Sequence, residues 1–262
     1  MTLIFETRGL FKTFGAVTAA ADINVTISEG EMVGVIGSNG AGKTTFINMV
    51  TGYLKPSAGS IQFKGREMVG LEPRDVTRAG ICRSFQIAQL FPELSVLDNV
   101  LIAYGISVER RLSFFRRLRD SESVDKARRI LEEYSIDGYI DAPAATLPQG
   151  VRKLLDIAMA MLGSPSLLLL DEPTSGVAID DKFELMETIM KAVRASGAAT
   201  LFVEHDMEVV ERYAPRVIAF YDGRVLADGP TEQVLSDPQV QEFVIGTHKK
   251  SHDKTGRKQS DA

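Results

Sequence analysis

One stretch, GSNGAGKTT at residues 37–45, constrains the fold of this chain more than any other. It fits G-x-x-x-x-G-K-[ST] and stands in the context that makes the motif informative. The apolar run EMVGVIG precedes it, and KTTFINMVTGYL, with apolar residues at helical spacing, follows. Glycines in such a loop let backbone N–H groups turn inward around a phosphate chain. The helix N-terminus adds a fixed positive potential, and Lys43 reaches the β- and γ-phosphates. Thr44 is placed to ligate Mg²⁺. A loop held this way needs a buried, mainly parallel sheet behind it, with ligand chemistry at the carboxyl edge of the strands.

The rest of the chain supplies that sheet. ADINVTI alternates apolar and polar residues, and SIQFKG reads as a strand ending in a turn. After residue 166, buried strands and helices alternate. SLLLLD leads to the helix DKFELMETIMKAVRASG, which stops at glycine; AATLFVE and the hairpin RVIAFYDGRVLADG, turning at Asp222-Gly223, follow. Between about 88 and 162 the pattern is helical, with SVDKARRILEEYSI amphipathic. The expected fold is α/β: a P-loop NTPase core with a mainly parallel sheet, an N-terminal antiparallel β subdomain and a helical insertion. Residues 1–246 then form a single domain, and 247–262 a polar, basic, disordered tail.

Composition removes several other classes. The formal charge of −5 argues against nucleic acid as a partner. A lone cysteine, Cys82, precludes an internal disulfide and suits a reducing compartment. No apolar run approaches the ~20 residues that cross a bilayer, and the start MTLIFETRGLFKTFG lacks a signal-peptide pattern. The expectation is a soluble, intracellular chain.

Hydrolysis needs a second anchor for the metal and a group that orients the attacking water. LLLLDEP, residues 167–173, offers both at a strand's carboxyl end. Asp171 would hold the metal, and Glu172 is the candidate general base. His205, in TLFVEHDM, follows the next buried strand and should arrive at the same edge, within reach of the γ-phosphate.

Together the P-loop, the glutamine of RSFQ, DEPTSG and EHDM resemble, in order and spacing, the ATPase subunits of ABC transporters, over roughly residues 3–246. The resemblance implies an ATP-hydrolysing, Mg²⁺-dependent subunit. It implies that Gly37, Ser38, Asn39, Gly40, Ala41, Gly42, Lys43, Thr44 and Thr45 surround the nucleotide. It makes Gln86 the residue that couples Mg²⁺ and the attacking water to the helical insertion, and Phe14, in KTFG, the ring that stacks on adenine.

The family also carries an L-S-G-G-Q-like signature at the helix start after the insertion, closing over ATP held by a second subunit. LPQGV, residues 147–151, occupies that place, so Pro148, Gln149 and Gly150 would serve the partner's nucleotide. Pro148 stands where the family has a serine and Val151 where it has a glutamine. Ala178 stands where members usually carry an acid or asparagine. TLPQ also reads as a T-x-x-Q capping box, a purely structural helix start. All three departures fall on segments serving the partner, which points to an asymmetric dimer with a homologous but distinct chain.

Within the family, SFQIAQLFPELSVLDNVLIA, VEHDMEVV and DGPTEQVLSDPQVQEFVIG look most like the ATPases of branched-chain amino acid-type importers. The implied partners are permease subunits and, indirectly, a solute-binding protein, with the chain on the cytoplasmic side of the inner membrane. Permease coupling is expected around Leu90 and Glu93. The basic segment at 109–120 reads as a solvated helix with a small apolar face. An ATPase of lipopolysaccharide-type lipid export and a non-transport mechanical switch are the alternatives; the latter usually has two ATPase domains or a long coiled coil.

Overall fold

The computed structural model describes residues 2–85, 88–108 and 119–246, with Val108 described in its backbone alone. Strands β1 (Leu3–Phe14), β2 (Val17–Ser28), β4 (Ala58–Phe63) and β5 (Arg66–Glu67) form an antiparallel sheet in the order β2-β1-β4-β5. The second sheet contains β3 (Met32–Gly37), β6 (Ile81–Ser84), β7 (Leu167–Asp171), β8 (Ala199–Val203), β9 (Arg216–Tyr221) and β10 (Arg224–Pro230). Its order is β10-β9-β3-β8-β7-β6. All pairings from β9 to β6 are parallel; only β10 runs against its neighbour. The mainly parallel core sheet and the N-terminal antiparallel sheet are as expected.

Helices α1 (Lys43–Val50) and α2 (Pro73–Ala79) precede β6. Helices α3 (Val96–Val108), α4 (Ser121–Glu133) and α5 (Gln149–Met161) lie between β6 and β7, and α6 (Lys182–Ser196), α7 (Met207–Tyr213) and α8 (Thr231–Ser236) follow. No helix among the described residues is long and apolar enough to cross a membrane.

The four leucines of SLLLLD show how the sheet is held. Successive strand side chains point to opposite faces. Leu167 and Leu169 therefore join Val33, Val35, Phe46 and Leu201 on the side of the antiparallel sheet. Leu168 and Leu170 join Leu155 and Ala158 of α5 and Ile189 of α6 on the other. Full burial of each leucine contributes roughly 2 kcal/mol to both cores through one strand. An alternating strand with one wet face could not do this.

Local signals behave as their chemistry requires. Helix α6 ends on Gly197 at φ 71°. The β9–β10 turn has Asp222 at φ 47° and Gly223 at φ 73°, the pair of positive values that a tight hairpin with native twist demands. Helix α4 begins at Asp120, whose carboxylate accepts from Ser123 N at 2.8 Å, and it buries Ala127 and Leu131 one turn apart. Strand β6 is four residues with little alternation, which hides it in the sequence.

Candidate functional site

Neighbouring parallel strands β3, β8 and β7 end together, at Gly37, Val203 and Asp171. The segments leaving them therefore converge on one edge of the sheet. From β3 comes the P-loop, turning into α1 at Gly42, which caps the helix at φ 102°. A Cβ there would stand 2.9 Å from the Ala19 carbonyl oxygen and 3.1 Å from Gly223 Cα, so only glycine fits. The loop is bolted to two other elements. Gly223 N donates to Ala41 O at 3.0 Å, and Ala21 N donates to Gly223 O at 2.8 Å. The hairpin turn that reads as a simple reversal in sequence thus fixes the P-loop's outer side.

Lys43 is buried and donates through Nζ to Gly37 O at 2.6 Å and to Ser38 O at 3.1 Å. Burial pushes its pKa below the ordinary lysine value, while Glu172 and Asp171 oppose that shift. All three side chains therefore share one electrostatic environment. Thr44 is exposed and Thr45 half-buried.

Asp171 closes β7 in register with Val203, and the next residue turns sharply: Glu172 has φ 50° while its N–H still donates to Val203 O at 3.0 Å. A non-glycine residue in this region costs on the order of 1 kcal/mol or more and persists only where its surroundings hold it. The turn brings Glu172 Oε1 to 3.0 Å from His205 Nε2. The two residues singled out from separate strands are in contact.

Several functional groups were not legible beforehand. Arg83, on β6, donates to Asp171 Oδ2 at 2.5 Å and to Asn48 Oδ1 at 2.7 Å, in a nearly buried pair. Glu204 is buried, accepts from the Thr174 amide and hydroxyl at 2.9 and 2.8 Å, and has its pKa raised by that burial. Lys153, only 2% exposed on α5, donates to the Glu172 carbonyl at 3.1 Å, and burial lowers its pKa. Asp156, one turn on, accepts from Phe85 N at 2.9 Å and Gln89 N at 3.1 Å; burial pushes its carboxyl up to about 6. An acid and a lysine on the apolar face of α5 were the available signal.

Phe14 ends β1 and is 52% exposed, with Lys12 Nζ 5.1 Å from its ring centroid. Gln86 lies outside the described residues, as do 109–118 of the basic segment and the tail from 247 onward.

At the start of α5 the capping box is not formed. The helix is capped by Pro148, and the Thr146 hydroxyl instead donates to Pro143 O at 2.8 Å within a short 3-10 turn. The reason is one of register: the cap falls on Pro148 and helical geometry begins at Gln149, three residues after Thr146, so Thr146 is not at the capping position. Gln149 and Gly150 occupy the first turn. A Cβ on Gly150 would meet only Val177 Cγ1 at 4.0 Å, an ordinary contact. Nothing among the described residues demands glycine there.

Residues 20–175 match the family described as ABC transporter. The chain belongs to that family. It is similar to the probable branched-chain amino acid transport ATP-binding protein of Archaeoglobus fulgidus, 35% identical over 246 residues that span 93% of this chain and 95% of that protein. It is similar also to the high-affinity branched-chain amino acid transport ATP-binding protein of Pseudomonas aeruginosa, 33% identical over 93% of this chain and 98% of the relative. The crystal structure of the ADP conformation of an ATP-binding cassette of an ABC transporter superposes with a TM-score of 0.82 at 31% identity, covering 93% of this chain and 98% of that one. This ABC chain is thus an ATPase subunit: ATP is its ligand, and hydrolysis is coupled to transport.

Proposed function

We propose that this chain powers an importer of branched-chain amino acids or related small polar solutes, attached peripherally to permease subunits at the cytoplasmic face of the membrane. The observation that carries the solute class is similarity over 93% of the chain to relatives bearing that name. The contact between Glu172 and His205 supports the chemistry.

In this reading Phe14 stacks on adenine, and the amides of residues 37–45 with Lys43 hold the phosphates. Thr44, Asp171 and Gln86 hold Mg²⁺. The oxygen donors suit a hard cation, and the Asp171 carboxylate pairs with the guanidinium of Arg83. Among the described residues there is no cluster of three acidic, histidine or cysteine groups able to hold a metal without the nucleotide's own phosphates. When bound, the ion neutralises charge on the β- and γ-phosphates. Glu172 accepts the proton of the attacking water, and His205 orients that carboxylate while facing the γ-phosphate. A positioned base contributes about 10²–10⁴-fold.

Pro148, Gln149 and Gly150 act in trans on ATP held by a second, homologous subunit. The open space at Gly150 fits a role toward something outside the chain. With Pro148 in place of a hydroxyl donor, that second site is the slower, and a solute-binding protein delivers cargo on the far side.

The test is ATP-driven uptake by the transporter assembled with its permease and binding protein. Lys43→Ala here should abolish it, and Glu172→Gln here should reduce turnover more than the matching change in the partner. A greater loss from the partner's change overturns the asymmetry; uptake unaffected by Lys43→Ala overturns the function.

A further inference from the structure

We propose that Lys153 is a positioning residue for hydrolysis, holding the peptide of Glu172 and so tying the first turns of α5 to this chain's own reacting carboxylate. The inference deepens the reading of Glu172 as the base and rests on it.

The Glu172 carbonyl is gripped from two directions. Ser175 N donates to it at 3.1 Å from the following turn, and Lys153 Nζ donates at 3.1 Å from the neighbouring helix. On the other side of the residue, the N–H is fixed to Val203 O. These bonds hold a glutamate at φ 50°, a conformation that aims its side chain at His205. Release of the carbonyl frees the backbone to relax toward ordinary geometry, and the carboxylate swings with it.

Burial by itself disfavours a lysine at this place. The side chain is 2% exposed, and a buried ammonium is unfavourable unless its interactions compensate. Asp156, Glu172, Glu204 and Asp171 all act on it, a setting of acids that an apolar residue would not need. Lys153 also sits three residues after Gly150, one helical turn, or about 5 Å, along α5. Asp156 anchors the next turn to Phe85 and Gln89. A rigid helix gripped at these points carries a displacement at Gly150 directly to the Glu172 carbonyl. The segment reaching toward the partner's nucleotide is thereby linked to hydrolysis in its own subunit.

Lys153→Met, Lys153→Arg and Glu172→Gln test this with MgATP, reading ATP affinity by equilibrium titration and the thermal midpoint on the full chain, and kcat on the transporter assembled with its second ATPase subunit. Lys153→Met should keep affinity within about twofold and the thermal midpoint at or above that of the parent, while kcat falls at least about tenfold. Lys153→Arg, retaining a donor and the charge, should recover most of kcat. A kcat within about twofold of the parent in Lys153→Met overturns the proposal. So does a parallel loss of affinity and thermal midpoint, or failure to fold, each of which marks a purely structural lysine. Glu172→Gln separates the two failures. Loss of turnover there with none in Lys153→Met removes only the role of Lys153; unchanged turnover there removes the base reading and this one together.

Discussion

The P-loop and the start of α5 both place glycine beside helix N-terminal amides, yet they are built in opposite ways. At Gly42 the chain itself dictates the residue: the backbone sits at φ 102° and an added Cβ would press on Ala19 and Gly223. At Gly150 the described residues dictate nothing, for the backbone is ordinary helix and the space beside it is open. The first is a complete half-site, wired into β2 and the β9–β10 turn. The second leaves open space that fits the proposed approach of a second subunit. On the proposed reading, this ATPase holds nucleotide alone but completes the reaction only against that subunit.

The largest effect that sharpens this comparison is Gly42→Ala. Strain and overlap together should remove about 3 kcal/mol of stability and most ATP binding, measured by denaturant unfolding and nucleotide titration. Retention of both would mean that the P-loop is looser than its contacts imply.

Next comes Asp156→Asn, which probes how firmly α5 itself is anchored. A carboxyl raised from 3.8 to about 6 binds its proton more tightly folded than unfolded. Its contribution to stability is present below the unfolded value and lost as pH rises through about 6. From about pH 4 to about pH 7 the parent should therefore lose up to about 3 kcal/mol that Asp156→Asn does not lose. Denaturant titrations of both proteins at the two pH values check it; parallel pH profiles would show that this carboxyl titrates normally.

The smallest expected change is the most telling. Gly150→Ala should leave the isolated chain equally stable or about 0.5–1 kcal/mol more stable, because alanine favours helix. ATP affinity at its own P-loop should hold while turnover of the dimer falls about tenfold, as one close approach is lost. Unchanged turnover would make Gly150 a neutral surface residue and end the contrast.

Much of this was legible because the relevant chemistry is local. Spacing around GSNGAGKTT fixes a strand, a glycine loop and a helix in immediate succession, and Asp222-Gly223 encodes its own turn. LLLLDEP announces a doubly buried strand delivering two acids to one edge. What escaped depends on partners far apart in the chain. Arg83 carries no assignment in the sequence; only when β6 lies against β7 does it come to Asp171. Glu204 reads only as the last residue of the strand AATLFVE until Thr174 covers it. The T-x-x-Q pattern promises a capping box, but the helix starts at Gln149 and Pro148 caps it.

By itself the sequence determined the phosphate-binding loop, the alternation of buried strands and helices, and the identity of the acids at their ends, since each follows from residue types a few positions apart. Only the tertiary structure decided that Glu172 meets His205, that a hairpin turn braces the P-loop, and that Lys153 grips the glutamate's peptide. Those contacts join segments as far apart as β2 and β9, and sheet order, not spacing along the chain, sets the distances between them.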